Sequence, residues 1–141
     1  MTWLIDTNVL SELRKGDRSN DGIRTWFAEA KEDDLFTSVL VLGEIRRGIE
    51  SIRRRDPPSA LALELWLGRL TRDFGERILP IDGRVADRWG RLNVPDPVPT
   101  VDGLLAATAL VHDLILVTRN TRDVARTGVR VLDPTERTMS A

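Results

Sequence analysis

Short apolar runs alternate along this chain with longer stretches whose apolar residues recur every three or four positions. Thr2 to Ile5 is an apolar run closed by Asp6, and it predicts a buried strand. A helix from Asn8 to Arg14 follows, ending near Gly16, then a polar turn from Gly16 to Gly22. Ile23 to Lys31 sets Ile23, Trp26, Phe27 and Ala30 at helical spacing, and Asp34 to Thr37 predicts a second strand. Thr37 or Ser38 then caps a helix reaching about Ile52, with Leu42, Ile45 and Ile49 on one face. Asp56-Pro57-Pro58 reads as a break, followed by an amphipathic helix from Ser59 to Phe74 striped with Leu63, Trp66, Leu67 and Leu70.

The later half repeats the alternation. Arg77 to Ile81 predicts a third strand, and Asp82 caps a helix to about Leu92. Asn93 to Pro99 carries Pro95, Pro97 and Pro99 and is a loop. Thr100 to His112 is rich in Ala and Leu and strongly helical. Leu114 to Thr118 is a fourth strand, Thr121 to Arg126 a short helix, and Val129 to Leu132 a last strand. Strands alternating with helices imply an α/β sandwich with a mainly parallel sheet. The chain has 141 residues, so residues 1–141 are expected to form a single domain.

Composition narrows the chemistry. There is no cysteine, and His112 is the one histidine. A thiolate zinc site, a disulfide scaffold and a cysteine nucleophile are excluded, and a site built on several histidines is excluded too. Any metal would rest on oxygen ligands, which favours magnesium, manganese or calcium. The net charge of −1 predicts no bulk affinity for nucleic acid. Positive charge is nonetheless nearly all arginine, with Lys15 and Lys31 the only lysines. Arginines cluster at Arg46-Arg47, at Arg53-Arg54-Arg55, and at Arg119, Arg122 and Arg126. Such clusters either form a solvated surface or fork onto phosphate. No apolar run is long enough for a membrane span, and the first residues lack the layout of a signal peptide, so a cytoplasmic address is expected.

Acidic residues end several of the apolar runs. Asp6 closes the first, Glu44 follows Leu42-Gly43, Asp102 follows Val98 to Val101, and Asn120 and Asp123 follow the fourth strand. Each has a local explanation. Asp6 or Asn8 can cap a helix, Glu44 can pair with Arg47, and Asp102 can favour a helix dipole. Asn120 and Asp123 can be turn residues, and Thr118 can serve a neighbouring carboxylate. In parallel sheets, however, ligands gather at the carboxyl ends of the strands. Separate elements can therefore deliver oxygen ligands to one edge, where a divalent cation would offset their repulsion.

These residues lie in four blocks: Leu4 to Glu12, Thr37 to Gly48, Asp102 to Ala109, and Leu116 to Asp123. In that order they resemble the PIN-domain ribonucleases, most closely the VapC-type toxins of toxin–antitoxin pairs. The resemblance implies a PIN-like three-layer α/β/α sandwich and a metal-dependent endoribonuclease. Asp6, Glu44 and Asp102 match its invariant acidic trio, and Asp123 or Asn120 its variable fourth position. It implies Mg²⁺, with Mn²⁺ as a substitute, held by Asp6, Asp102 and Glu44, and hydrolysis of RNA (tRNA or rRNA) leaving 5′-phosphate ends. Thr7, Asn8, Thr118 and Asn120 would support the site, and Arg119 and Arg122 would contact RNA phosphates. It further implies a VapB-type antitoxin, whose tail would lie between the helices Asn8 to Arg14 and Val39 to Ile52. Exposed Leu13, Ile45 or Ile49 would mark that groove. A homodimer, or a heterotetramer or larger assembly with antitoxin, is also expected. Two departures stand out: Val124 where the family usually has Phe, and Asp113 where it usually has Gly.

Other classes fit less well. A receiver domain needs paired acids after its first strand and a lysine after its last core strand, but Asp6 is single and Thr118-Arg119 stands at the second place. A haloacid-dehalogenase-type phosphatase needs an acid where Asn8 stands. An inactive PIN-fold protein that binds RNA or a partner is the main alternative, and the intact acidic trio argues against it.

Overall fold

The computed structural model describes residues 1–136 and places five parallel strands at its centre. In chain order these are β1 (Trp3–Ile5), β2 (Leu35–Ser38), β3 (Ile78–Leu79), β4 (Ile115–Val117) and β5 (Val131–Leu132). The helices are α1 (Thr7–Leu13), α2 (Asp21–Glu29), α3 (Val39–Ile52), α4 (Pro57–Phe74), α5 (Gly83–Leu92) and α6 (Thr100–Val111). Helices flank the sheet in an α/β/α sandwich. The α3 and α4 helices pack on each other and touch β2, while α5 pairs with α6, which touches β4.

The strand order is β3-β2-β1-β4-β5. The chain builds outward from β1 on one side, then returns to fill the other. The switch falls between β1 and β4, whose register pairs Ile5 with Val117. Crevices open at such a point, outside the carboxyl ends of the strands. Asp6 leaves β1 there, its N–H still bonded to the Val117 carbonyl at 3.1 Å.

The central strands are apolar on both faces because both are covered. Leu4, Ile5, Val117 and Leu116 are buried, and Val9, Ile23, Val41, Ile49 and Ala106 close over them. Trp26 is 1% exposed and meets Trp3 edge-on at 5.6 Å between ring centres. Trimming a fully buried aliphatic such as Ile49 to Ala costs about 2–5 kcal/mol.

Local chemistry explains most boundaries. Ser38 caps α3 through the Leu40 N–H, and Asp82 caps α5 through the Val85 N–H. One boundary differs from expectation. The break before Asp56-Pro57-Pro58 is present, but α4 begins at Pro57 rather than Ser59: Asp56 is the cap, and the prolines fill the first helical positions. There a missing N–H costs nothing and the fixed φ is already helical. The third and fifth strands are also shorter than the apolar runs suggested, because the outer edges offer few partners.

The arginine clusters divide. Arg46 and Arg53 both reach Glu64 of α4 at 2.7 Å, and Arg53 also holds Glu50 at 2.6 Å. These two arginines tie α3 to α4 and are not available as phosphate forks. Being exposed, each pair adds little on its own.

Asp113 has φ of 55°, in the left-handed region. That conformation explains why a glycine suits this place, and Asp is among the few side chains that adopt it.

Candidate functional site

A cleft of about 390 Å³ opens at the β1/β4 switch, lined by Asp6, Thr7, Asn8, Glu44, Asp102 and Asn120 together with the wall Pro99 to Val101. Each acid arrives on a different element. Asp6 is the cap of α1, accepting the Val9 N–H at 3.0 Å on Oδ1. Its other oxygen accepts the Thr118 hydroxyl, from the residue just after β4. The Thr118 oxygen in turn accepts the Asn120 N–H at 3.0 Å. Capping and site membership are therefore one arrangement: the cap bond uses one oxygen and turns the carboxylate toward the cleft. Asn8 is not the cap, and its side chain stands exposed.

Glu44 lies in the second turn of α3 and is half-buried. It does not pair with Arg47. Its Oε1 accepts the Thr7 hydroxyl at 2.6 Å. Asp102 lies in the first turn of α6, where Pro99 precedes the helix without a side-chain cap. Its carboxyl feels that of Asp123, from the 3₁₀ turn Thr121–Thr127. Of the two candidates for the fourth acidic position, Asp123 reaches another carboxyl, while Asn120 lines the cleft and bonds through its backbone.

The electrostatics follow. Burial pushes the Asp6 carboxyl above the usual carboxylate range, against the Thr118 and Val9 bonds that favour its charge. Burial, then the charge of Asp123 and the bond to it, then Asp6 and Glu44, push Asp102 up to about 6. Four carboxyls thus feel one another across this edge. Among the described residues no three His, Cys, Asp or Glu side chains converge as a ready-made metal cluster. The acids surround the cleft rather than meeting at one point. The donors are nonetheless all oxygen, and their mutual repulsion is of the kind a hard cation relieves.

Arg119 and Arg122 are exposed, beside Thr118 and Asp123 in sequence. Arg119 is close enough to Glu12 to add to the lowering of that carboxyl, which comes chiefly from Lys15 and the Asn20 N–H. The sequence alone did not reveal the Thr7–Glu44 bond or the proline-loop wall. A hydroxyl following Asp6 was its only trace of the first, and the run of prolines before Thr100 its only trace of the second.

The α3 residues expected to mark a groove with α1 are buried. Ile45 is 6% and Ile49 0% exposed, because that face of α3 closes the core rather than facing outward. An open groove of about 640 Å³ lies instead between α1, α2 and α4, floored by Leu10, Leu13, Phe27, Trp66, Leu70 and Phe74.

An α/β/α sandwich with carboxyls gathered at the carboxyl edge of a parallel sheet defines an acidic-site α/β protein. Residues 3–129 match the PIN domain, and the chain belongs to that family. It is similar to toxin FitB of Neisseria gonorrhoeae, 29% identical over 136 residues that cover 93% of this chain and 96% of that protein. It is similar to VapC ribonuclease Y4jK of Sinorhizobium fredii, 26% identical over 142 residues, covering 94% and 97%. Among solved structures it is similar to a chain of a toxin–antitoxin complex from Klebsiella pneumoniae. That match has a TM-score of 0.62 and 26% identity, and covers 94% of this chain and 98% of that one.

Proposed function

We propose that the chain is a single PIN domain that acts as an endoribonuclease toxin, hydrolysing RNA phosphodiester bonds until an antitoxin binds it. The observation that carries this reading is the cleft edged by Asp6, Glu44 and Asp102, with Asp123 near Asp102. The names of the relatives, a toxin and a VapC ribonuclease, support it.

On this reading Asp6, Glu44 and Asp102 would hold Mg²⁺, with Mn²⁺ as a substitute and Asp123 completing the acidic edge. When bound, the cation supplies Lewis-acid stabilisation of the charge that builds on the phosphoryl oxygens. The chain's own residues do the rest. The Thr118 and Val9 donors fix the orientation of Asp6, and the Thr7 hydroxyl fixes Glu44. Burial and the nearby Asp123 charge raise the Asp102 carboxyl, a repulsion that a bound cation would relieve. Arg119 and Arg122 draw in phosphate by charge. The substrate class is a structured RNA such as tRNA or rRNA, read through loops and unpaired ends.

The solved relative described as a toxin–antitoxin complex supports an antitoxin partner. Its apolar tail would occupy the groove between α1, α2 and α4. A homodimer belongs to the same reading.

Purified chain, free of antitoxin, is expected to cut total cellular RNA into discrete fragments with Mg²⁺ or Mn²⁺. EDTA and Asp6→Asn should each abolish cutting. A folded, Mn²⁺-loaded protein that leaves every RNA intact would overturn the nuclease reading in favour of an RNA- or partner-binding domain.

A further inference from the structure

We propose that Thr7 is a positioning residue: its hydroxyl sets the rotamer of Glu44 so that the second carboxylate oxygen faces the cation. The proposal rests on the cation site argued above and adds a residue that works through Glu44.

Three observations carry it. The Thr7 hydroxyl donates to Glu44 Oε1 at 2.6 Å, across a sequence separation of 37. Both residues line the cleft. No arginine forms an ion pair with Glu44 among the described residues, although Arg46 and Arg47 are its near neighbours on α3.

The physical argument concerns freedom. Glu has three rotatable side-chain bonds and loses more rotamer freedom than most residues when ordered. Asp6 is short and buried, and it is fixed by two donors. Asp102 is short too and sits in the first turn of α6, near Asp123. Glu44 is the longest of the set, half-buried, and its one hydrogen bond among the described residues is to Thr7. A hydroxyl has a single proton to donate, so Thr7 engages one oxygen and leaves the other open. Threonine suits this use because its branched Cβ restricts χ1. Its place is equally constrained: it is the first residue of α1, directly after Asp6. Two neighbouring residues in the chain therefore serve two different acids. Asp6 supplies a carboxylate, and Thr7 steadies one delivered by another helix.

The test compares Thr7→Val, which keeps the shape and loses the hydroxyl, with Thr7→Ser, which keeps the hydroxyl. Mn²⁺ affinity is read by electron paramagnetic resonance on the free protein, without RNA. Thr7→Val should weaken Mn²⁺ binding by about tenfold, the usual scale for removing a group that orients a metal ligand. Thr7→Ser should restore most of it. A double-mutant cycle of Thr7→Val with Glu44→Ala, read by urea unfolding without metal, should show coupling between the two sites.

Equal Mn²⁺ affinity in wild type and Thr7→Val would overturn the proposal alone. So would a Thr7→Ser variant as weak as Thr7→Val, because the methyl packing rather than the hydroxyl would then matter. A cycle with no coupling would overturn it as well. A wild-type protein that binds no Mn²⁺ would overturn the cation site itself, and this proposal with it.

Discussion

Asp123, from the turn after β4, stands close enough to Asp102 of α6 to add to burial in pushing the Asp102 carboxyl up to about 6. Burial is the first cause and the Asp123 charge the second. A carboxyl raised above its ordinary 3.8 binds its proton more tightly in the folded state than in the unfolded one. Its contribution to stability is full below the ordinary value and is lost as pH rises through about 6. For metal-free protein, the stability of wild type relative to Asp102→Asn should therefore fall between about pH 4 and pH 7. Urea unfolding of both proteins across that range checks it; a rising difference would reverse the assignment. Asp123→Asn should bring the Asp102 titration down, as read by carboxyl carbon NMR.

Asp6→Asn separates stability from chemistry. The amide oxygen keeps the cap bond to the Val9 N–H, and the buried charge disappears. Cleavage should vanish while the metal-free unfolding midpoint at neutral pH holds or rises. Asp6→Ala removes the cap too and should cost about 1 kcal/mol through the helix alone. Equal instability of the two variants would contradict this division.

At Asp113, φ of 55° is a conformation that glycine adopts without strain. Asp113→Gly should raise stability by up to about 1 kcal/mol. The exposed Asp113–Arg130 pair at 3.1 Å is lost in that variant and subtracts little. Thermal unfolding of the two proteins provides the measurement, and a lower midpoint would show that the ion pair outweighs the backbone.

Arg119→Ala and Arg122→Ala should each weaken RNA binding and reduce the slope of log affinity against log salt by about 0.7–0.9. Arg46→Ala serves as the control, because Arg46 is held by Glu50 and Glu64 and should leave the slope alone. Filter binding with an uncleaved RNA, using the Asp6→Asn background, avoids turnover. Unchanged slopes for both Arg119 and Arg122 would remove them from the RNA path.

The sequence was most readable where one residue type has one local use. Ser38 and Asp82 announced their helices, and the apolar runs before Asp6 and Thr118 announced the two central strands. It placed the break before α4 but not its first residue: Pro57-Pro58 stop one helix and start another equally well, and only the Asp56 cap decides. Ile45 and Ile49 lie on the apolar face of α3, but a helical stripe says nothing of what covers it, and here the core does. The acids were visible as candidates because each ends an apolar run. Their partners, Thr7 for Glu44 and Asp123 for Asp102, come from tertiary approach and have no signature in spacing.

The bond from Thr118 to Asp6 spans 112 positions, and it depends on β4 pairing with β1. Such distant closure is slow to form, and chains are made from the N-terminus onward. While the ribosome is still producing this chain, β1 and β2 can pair but the acidic edge cannot assemble. The strand order thus ties completion of the acidic edge to a strand that lies late in the chain.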